Sequence, residues 1–322
     1  MVFRFFLYQL DRRLSAFIGG FIQAFFAVFA ALALSAAIPS SAGAAEFTFA
    51  AFGDTPYTRD EEERFPDLIA EMNREPLAFV VHVGDFKSAR DRCSDELYLQ
   101  RREWFGFSRH PFVFVPGDNE WTDCRRLLAG GYDPLERLRK LRELFFSGGE
   151  SLGQRAISLE RQSQNYPEHA RWRHGSALFV TLNVPGTYNN AHLMPEEFRN
   201  RSAAVGNWLE QSFGLARKTG LRAVVMLMQA NPWASPTNRY FGFRELLSTM
   251  TKETLGFDGE VLLVHGDTHR FRADSPLRDP ATGAPFANFT RVEVFGSPSM
   301  NWVRIRVIED AGRVRFEVTP GS

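Results

Sequence analysis

Four Asp residues in this 322-residue chain directly follow a Gly, and each Gly-Asp step closes an apolar run. The runs are Phe47 to Asp54 (FTFAAFGD), Ala78 to Asp85 (AFVVHVGD), Pro111 to Asp118 (PFVFVPGD) and Val261 to Asp267 (VLLVHGD). With 25 Gly and 15 Asp, chance pairing yields about one such step, so four in one context form a pattern. A short run rich in Val and Phe, stopped by Gly, reads as a buried strand. Gly permits a sharp turn at the strand end. The Asp then lies just past the carboxyl end, where open α/β sheets place their ligand sites. If these strands are neighbours, four carboxylates converge, repel one another and are costly to bury without a cation. A lone Gly-Asp is ordinary turn chemistry; four after four strands predict a metal site.

The elements that must carry these residues alternate. Strands are expected at Phe47 to Phe52, Ala78 to Val83 and Phe112 to Val115, with helices at Arg59 to Arg74 and Asp95 to Phe105 between them. Strand, helix, strand in this order argues parallel βαβ units. Pro134 to Phe146 is the clearest amphipathic helix, with Pro at its first turn and Gly148-Gly149 after its end. Its basic residues Arg137, Arg139, Lys140 and Arg142 read as a solvated face rather than a phosphate patch. Ala156 to Arg173 reads as irregular. Further strands are expected at Ala177 to Val184, Leu221 to Met228 and Val261 to Val264, and helices at Pro195 to Lys218 and Phe241 to Leu255. The tail, Arg291 to Phe295, Trp302 to Ile308 and Val314 to Val318, alternates and reads as antiparallel strands.

Residues 1–45 are expected to be a signal peptide or an N-terminal membrane anchor, and residues 46–322 one folded domain. Arg4, Arg12 and Arg13 precede an apolar stretch from Leu14 to Ile38, then small residues with an Ala42-x-Ala44 cleavage pattern. The apolar stretch is long enough to span a bilayer uncleaved. Either way the flanking positive charge leaves the remainder outside the cytoplasm, periplasmic or extracellular. The two cysteines, Cys93 and Cys124, then read most simply as a disulfide that braces the loops after Asp85 and Asp118, with two free thiols as the alternative. A net charge of zero gives no sign of a nucleic-acid partner.

In motif order the chain resembles the calcineurin-like metallophosphoesterase superfamily, over Phe47 to about Trp302. That family carries Asp-x-His, Gly-Asp, Gly-Asn-His-Asp/Glu, a lone His and Gly-His-x-His. Here the corresponding stretches are Asp54 with Pro56, Gly84-Asp85, Gly117-Asp118-Asn119-Glu120, Gln229, and Gly266-Asp267-Thr268-His269. The resemblance implies an α/β (α+β) fold, a four-layer sandwich of two mixed β-sheets flanked by helices. It also implies hydrolysis of a phosphate mono- or diester by a metal-bridging hydroxide. Asp85 would bridge two metals, Asp54 and His269 would hold the first, and Asp118, Gln229 and Asp267 the second. Asn119 stands where the family keeps a leaving-group histidine, and either Asp118 or Asn119 is the ligand.

Pro56, Gln229 and Asp267 stand where the family has imidazoles. Oxygen ligands suit harder cations, so two divalent ions drawn from Mn, Mg, Ca or Fe are expected in preference to two Zn. Asn cannot transfer a proton at neutral pH, which leaves His82 and His265 as candidate acids or as supports within their strands. Tyr57, Trp121, Trp233 and Trp302 flank the motif loops as stacking or packing residues. Asn183, Asn189 and Asn190 are candidates to line a phosphate pocket, and Arg270 to meet a phosphate. An inactive binding domain that retains the fold is the alternative function.

Overall fold

The computed structural model describes residues 45–235 and 241–321. The leader or anchor expected over residues 1–45 lies outside these, apart from Ala45, which opens the first strand. Among the described residues no helix is long and apolar enough to cross a membrane.

Two sheets form the centre. The first has five strands in the order β12-β11-β1-β2-β3: β1 (Ala45–Phe52), β2 (Val80–His82), β3 (Phe112–Phe114), β11 (Val303–Asp310) and β12 (Arg313–Pro320). β1, β2 and β3 run parallel, and β11 and β12 add antiparallel at the edge. The second has seven strands, β4-β5-β6-β7-β8-β10-β9. Its parallel centre is β6 (Ala177–Thr181), β7 (Ala223–Leu227), β8 (Glu260–His265) and β10 (Phe289–Glu293). β4 (Glu160–Ser163), β5 (Tyr166–His174) and β9 (Arg272–Asp274) extend it antiparallel.

Strand periodicity divides the apolar residues between three layers of core. Phe49, Phe79, Val81, Phe179, Val225, Leu262 and Ile305 pack between the sheets. Phe52, Val80, Phe112 and Phe114 face α1 (Arg59–Arg74), α2 (Asp95–Phe105) and α3 (Pro134–Phe145). Leu178, Val224, Met226 and Leu263 face α4 (Pro195–Lys218) and α5 (Arg244–Leu255). This is the four-layer sandwich that the motif order implied. Strands buried on both faces explain why the runs are continuously apolar instead of alternating.

Three local expectations need correction. The stretch read as irregular holds the β4–β5 hairpin, an outer pair whose exposed polar residues hide the strand period. β10 is not part of an antiparallel tail; it pairs parallel with β8 in the second sheet. The basic residues of α3 are not all solvated. Arg137 is buried, donating to Cys93 O at 2.8 Å and pairing with Asp95 at 2.7 Å. Arg142 pairs with the buried Glu168 at 2.6 Å.

Cys93 and Cys124 form a disulfide, Cα to Cα 5.7 Å, closing a separation of 31 residues between the second and third motif loops. Cross-linking a loop of this length contributes about 3–4 kcal/mol in the chain-entropy account. Replacing both cysteines with serine is expected to lower unfolding stability in urea by that amount. An unchanged urea midpoint would show that the cross-link does not brace the fold.

Candidate active site

The parallel strands deliver their motif residues to one edge. Asp54 follows β1, Asp85 follows β2, Asp118 follows β3, and Asp267 and His269 follow β8. Asp54, Asp85 and Asp118 are buried and Asp267 is half-buried. The two sheets meet here through direct bonds. The Asp267 amide donates to the Asp54 carboxylate at 3.0 and 3.1 Å, and the Ser297 amide donates to Asp54 O at 2.9 Å.

Asp54, Asp85, Asp267 and His269 all sit at positive φ, between 51° and 86°. That region is unfavourable for non-Gly residues and persists where surrounding structure over-determines it. The glycines of the motifs have a second purpose besides turning the chain. A Cβ on Gly117 would stand 2.0 Å from Asp85 Oδ1, and one on Gly266 would stand 2.0 Å from Asp54 Oδ2. The Gly of one motif thus makes room for the Asp of an earlier one.

Burial first, then the charge of Asp267 and further off Asp118, holds the Asp54 carboxyl well above the usual carboxylate range. Burial does the same to Asp85, reinforced by Asp118 and Glu120. Asp267 is pushed up to about 7 by burial and by Asp118. The side chains expected to gather do gather, and they oppose one another.

Asp85 is held by three donors: the Asn119 amide on Oδ1 at 3.0 Å, and Tyr57 Oη and Gln229 Nε2 on Oδ2, each at 3.1 Å. The Gly186 amide donates to Gln229 Oε1 at 2.7 Å, which fixes the amide's orientation. Gln229 therefore turns an N–H toward the carboxylates, and its oxygen, expected as a ligand, is occupied. Asn119 Nδ2 donates to Tyr57 Oη and Lys87 O, both at 3.0 Å. Thr187 donates to Asp118 Oδ2 at 2.5 Å.

His82 is fully buried in β2. Its Nε2 donates to Thr55 O at 3.2 Å and its Nδ1 accepts from the Gly84 amide at 3.1 Å. His265 is buried at the end of β8, with Nδ1 on Gly266 O at 2.7 Å. Burial lowers both imidazoles to about 3, so each is neutral at physiological pH. Each ring steadies a motif loop from behind the carboxylates. Asn183 and Asn189 are drawn to Glu168 and Arg201, while Asn190 is buried with both side-chain polar atoms unpartnered. Trp121 and Trp302 are buried packing residues.

Sequence reasoning passed over two acids that hold the site together. Glu120 accepts from the amides of Gly117 at 2.8 Å, Asp85 at 3.1 Å and Phe86, clamping two motif loops. Burial nevertheless pushes it up to about 7. Glu61, buried in α1, accepts from the Tyr57 amide at 2.5 Å and from Ser297 Oγ at 2.6 Å. The position of Glu120, right after Asn119, was a usable signal, and so was the Thr58-x-x-Glu61 capping spacing that opens α1. Tyr57, read as a stacking or packing residue, instead spends its hydroxyl on Asp85.

Among the described residues no group of three or more His, Cys, Asp or Glu side chains is spaced to hold a metal ion as it stands. The donor chemistry still fits divalent cations. Buried, mutually repelling carboxylates are the groups that a cation stabilises. His269 donates Nδ1–H to Ser297 O at 2.8 Å, which turns Nε2 toward the carboxylates, 3.7 Å from Asp54 Oδ1. That is how a backbone carbonyl orients a ligand imidazole.

No protein-family model matches the chain, and no curated protein matches it. Solved structures do. A dimetal phosphatase from Danio rerio aligns with TM-score 0.52 and 14% identity, over 86% of this chain and 99% of that one. Purple acid phosphatase PPD1 from yellow lupin (Lupinus luteus) seeds aligns with TM-score 0.51 and 12% identity, over 87% of this chain. The alignment spans about half of that plant protein, 52% of its chain. Likeness at this identity shows the fold: the chain has the calcineurin-like metallophosphoesterase fold.

Folded pKa values near 7 for Asp267 and Glu120 lie above the unfolded values of about 4. Their contribution to stability is therefore fully present below about pH 4 and is lost as pH rises through 7. The neutral histidines act in the opposite sense, but only below the unfolded His value of about 6.5. Metal-free protein is expected to melt at progressively lower temperature from about pH 6.5 to 8, with Mn²⁺ restoring the loss at the upper end. A flat or rising metal-free melting curve across that window would contradict the electrostatic account.

Proposed function

We propose that the chain is an exported, metal-dependent phosphoester hydrolase. The observation that carries this is the gathering of Asp54, Asp85, Asp118, Asp267 and His269 at the carboxyl ends of strands from both sheets, on a phosphatase-type fold. Asp54, His269, Asp85 and Asp118 would hold the cations. Asn119 Oδ1, unengaged among the described residues, and Asp267 would complete the oxygen set. Two cations so held are proposed, Mn, Mg, Ca or Fe in preference to Zn, because oxygen ligands dominate. When bound, such ions acidify water and neutralise charge on phosphoryl oxygens.

The chain's own groups have separable tasks. Asn119, Tyr57 and Gln229 fix the rotamer of Asp85 with three hydrogen bonds. Ser297 O aims His269, and Thr187 aims Asp118. His82 and His265, uncharged and behind the loops, hold Thr55, Gly84 and Gly266 and leave protonation of the departing alkoxide to solvent. The disulfide suits an oxidising compartment, in agreement with export.

One observation favours a second reading. Tyr57 and Gln229 satisfy Asp85 with neutral donors, as a binding domain without chemistry would do. The two readings separate on p-nitrophenyl phosphate and its bis ester with added Mn²⁺. The hydrolase reading expects turnover that falls at least 10³-fold, to background, in Asp85→Ala. Tyr57→Phe, which removes one hydrogen bond to Asp85, is expected to lower kcat about tenfold. Rates for the wild type no higher than for Asp85→Ala, on both esters, would leave the binding domain.

A further inference from the structure

Beside the carboxylate cluster lies a cleft of about 330 Å³, walled by Asn231, Trp233, Thr268, Arg270 and Arg272. It is built from the same two loops as the site. In the loop after β8, Asp267 and His269 face the carboxylates, while Thr268 and Arg270, interleaved with them, line the cleft. In the loop after β7, Gln229 reaches Asp85, while Asn231 and Trp233 line the cleft. The Asn231 amide donates to Asp267 Oδ2 at 2.7 Å, so cleft and cluster share a boundary.

The wall is braced and cationic. Glu293, fully buried, accepts from Arg272 Nε at 2.9 Å, from Asn231 Nδ2 at 3.3 Å and from the Thr268 hydroxyl. Arg291 pairs with Asp274, reaches Asn231 Oδ1 at 3.4 Å and lies 5.3 Å from the Trp233 ring centroid. The two acids facing this wall, Glu293 and Asp274, are thus matched by Arg272 and Arg291. Arg270 is the surplus charge. It is exposed, and among the described residues its guanidinium has no hydrogen-bond or ion-pair partner. Arg272, 37% exposed, keeps further donors toward the cleft. A guanidinium fork matches a phosphoryl or carboxylate group bidentately.

We propose that this cleft is a subsite for a second anionic group of the substrate, a phosphoryl or carboxylate carried beyond the phosphorus that is cleaved. Trp233 offers an apolar wall to the linker between the two anions. The preferred substrates are then polyanionic phosphoesters of about sugar size. This deepens the hydrolase reading and rests on it for the identity of the first group.

The test measures binding and turnover separately on the full chain. By calorimetry with saturating Ca²⁺ in place of Mn²⁺, and with free phosphate assayed to exclude turnover, fructose 1,6-bisphosphate is compared with fructose 6-phosphate, and 3-phosphoglycerate with glycerol 3-phosphate. The wild type is expected to bind at least one doubly anionic member about tenfold more tightly than its partner. Arg270→Ala is expected to bring that ratio to about one, and Arg270→Lys to keep part of it. The pair with the larger Arg270-dependent ratio identifies the anion. Ratios near one in the wild type for both pairs, or ratios that survive Arg270→Ala, overturn the subsite. With Mn²⁺, turnover of p-nitrophenyl phosphate reports on the hydrolase reading alone. Turnover without an anion preference sinks only the subsite; an Arg270-dependent preference without turnover sinks only the hydrolysis.

Discussion

Buried like charges set the terms for this molecule. Burial and mutual repulsion raise Asp54, Asp85 and Asp267, and a fold that accepts this must offset it locally. It does so with directed N–H and O–H donors, with backbone held at positive φ, and with glycines that let carboxylates approach other loops. The positive-φ backbone and the glycines cost stability, and the packed sheets below offset it. The three apolar layers are continuous under the site, so the loops stand on a rigid base.

The site and the cleft beside it follow from a single backbone habit. Residues leaving β8 alternate between the carboxylate cluster and the outer wall, and those leaving β7 pass from the cluster at Gln229 to the wall at Asn231 and Trp233. Ligand candidates and specificity candidates therefore share two short loops, and a change in one is felt in the other. Glu293 and Glu61 serve as anchors on either side. The first organises Arg272, Asn231 and Thr268; the second ties Tyr57 to Ser297 and, through it, to His269.

Much of this was legible in the residues. The helices Asp95–Phe105 and Pro195–Lys218 lie at their expected bounds; in the structure Ser94 caps the first and Pro195 opens the second. The Gly-Asp steps marked the strand ends and their convergence. The outer hairpin was hidden because residues such as Glu160 and Gln162 carry no apolar period. The parallel pairing of β10 with β8 was hidden because nothing local encodes a partner across the sheet. In the site, residue type alone did not reveal that Gln229 would present its N–H, since the Gly186 amide decides that from a distant loop. Nor did it reveal Tyr57 as a carboxylate donor; that follows from where the turn after Asp54 aims the ring.

The most direct measurement is anomalous scattering from crystals grown with Mn²⁺, collected at the manganese edge. The account predicts anomalous density among Asp54, Asp85, Asp118 and His269 Nε2, and none there in crystals of Asp85→Asn. Well-ordered wild-type crystals at saturating Mn²⁺ with no anomalous peak among those side chains would contradict it.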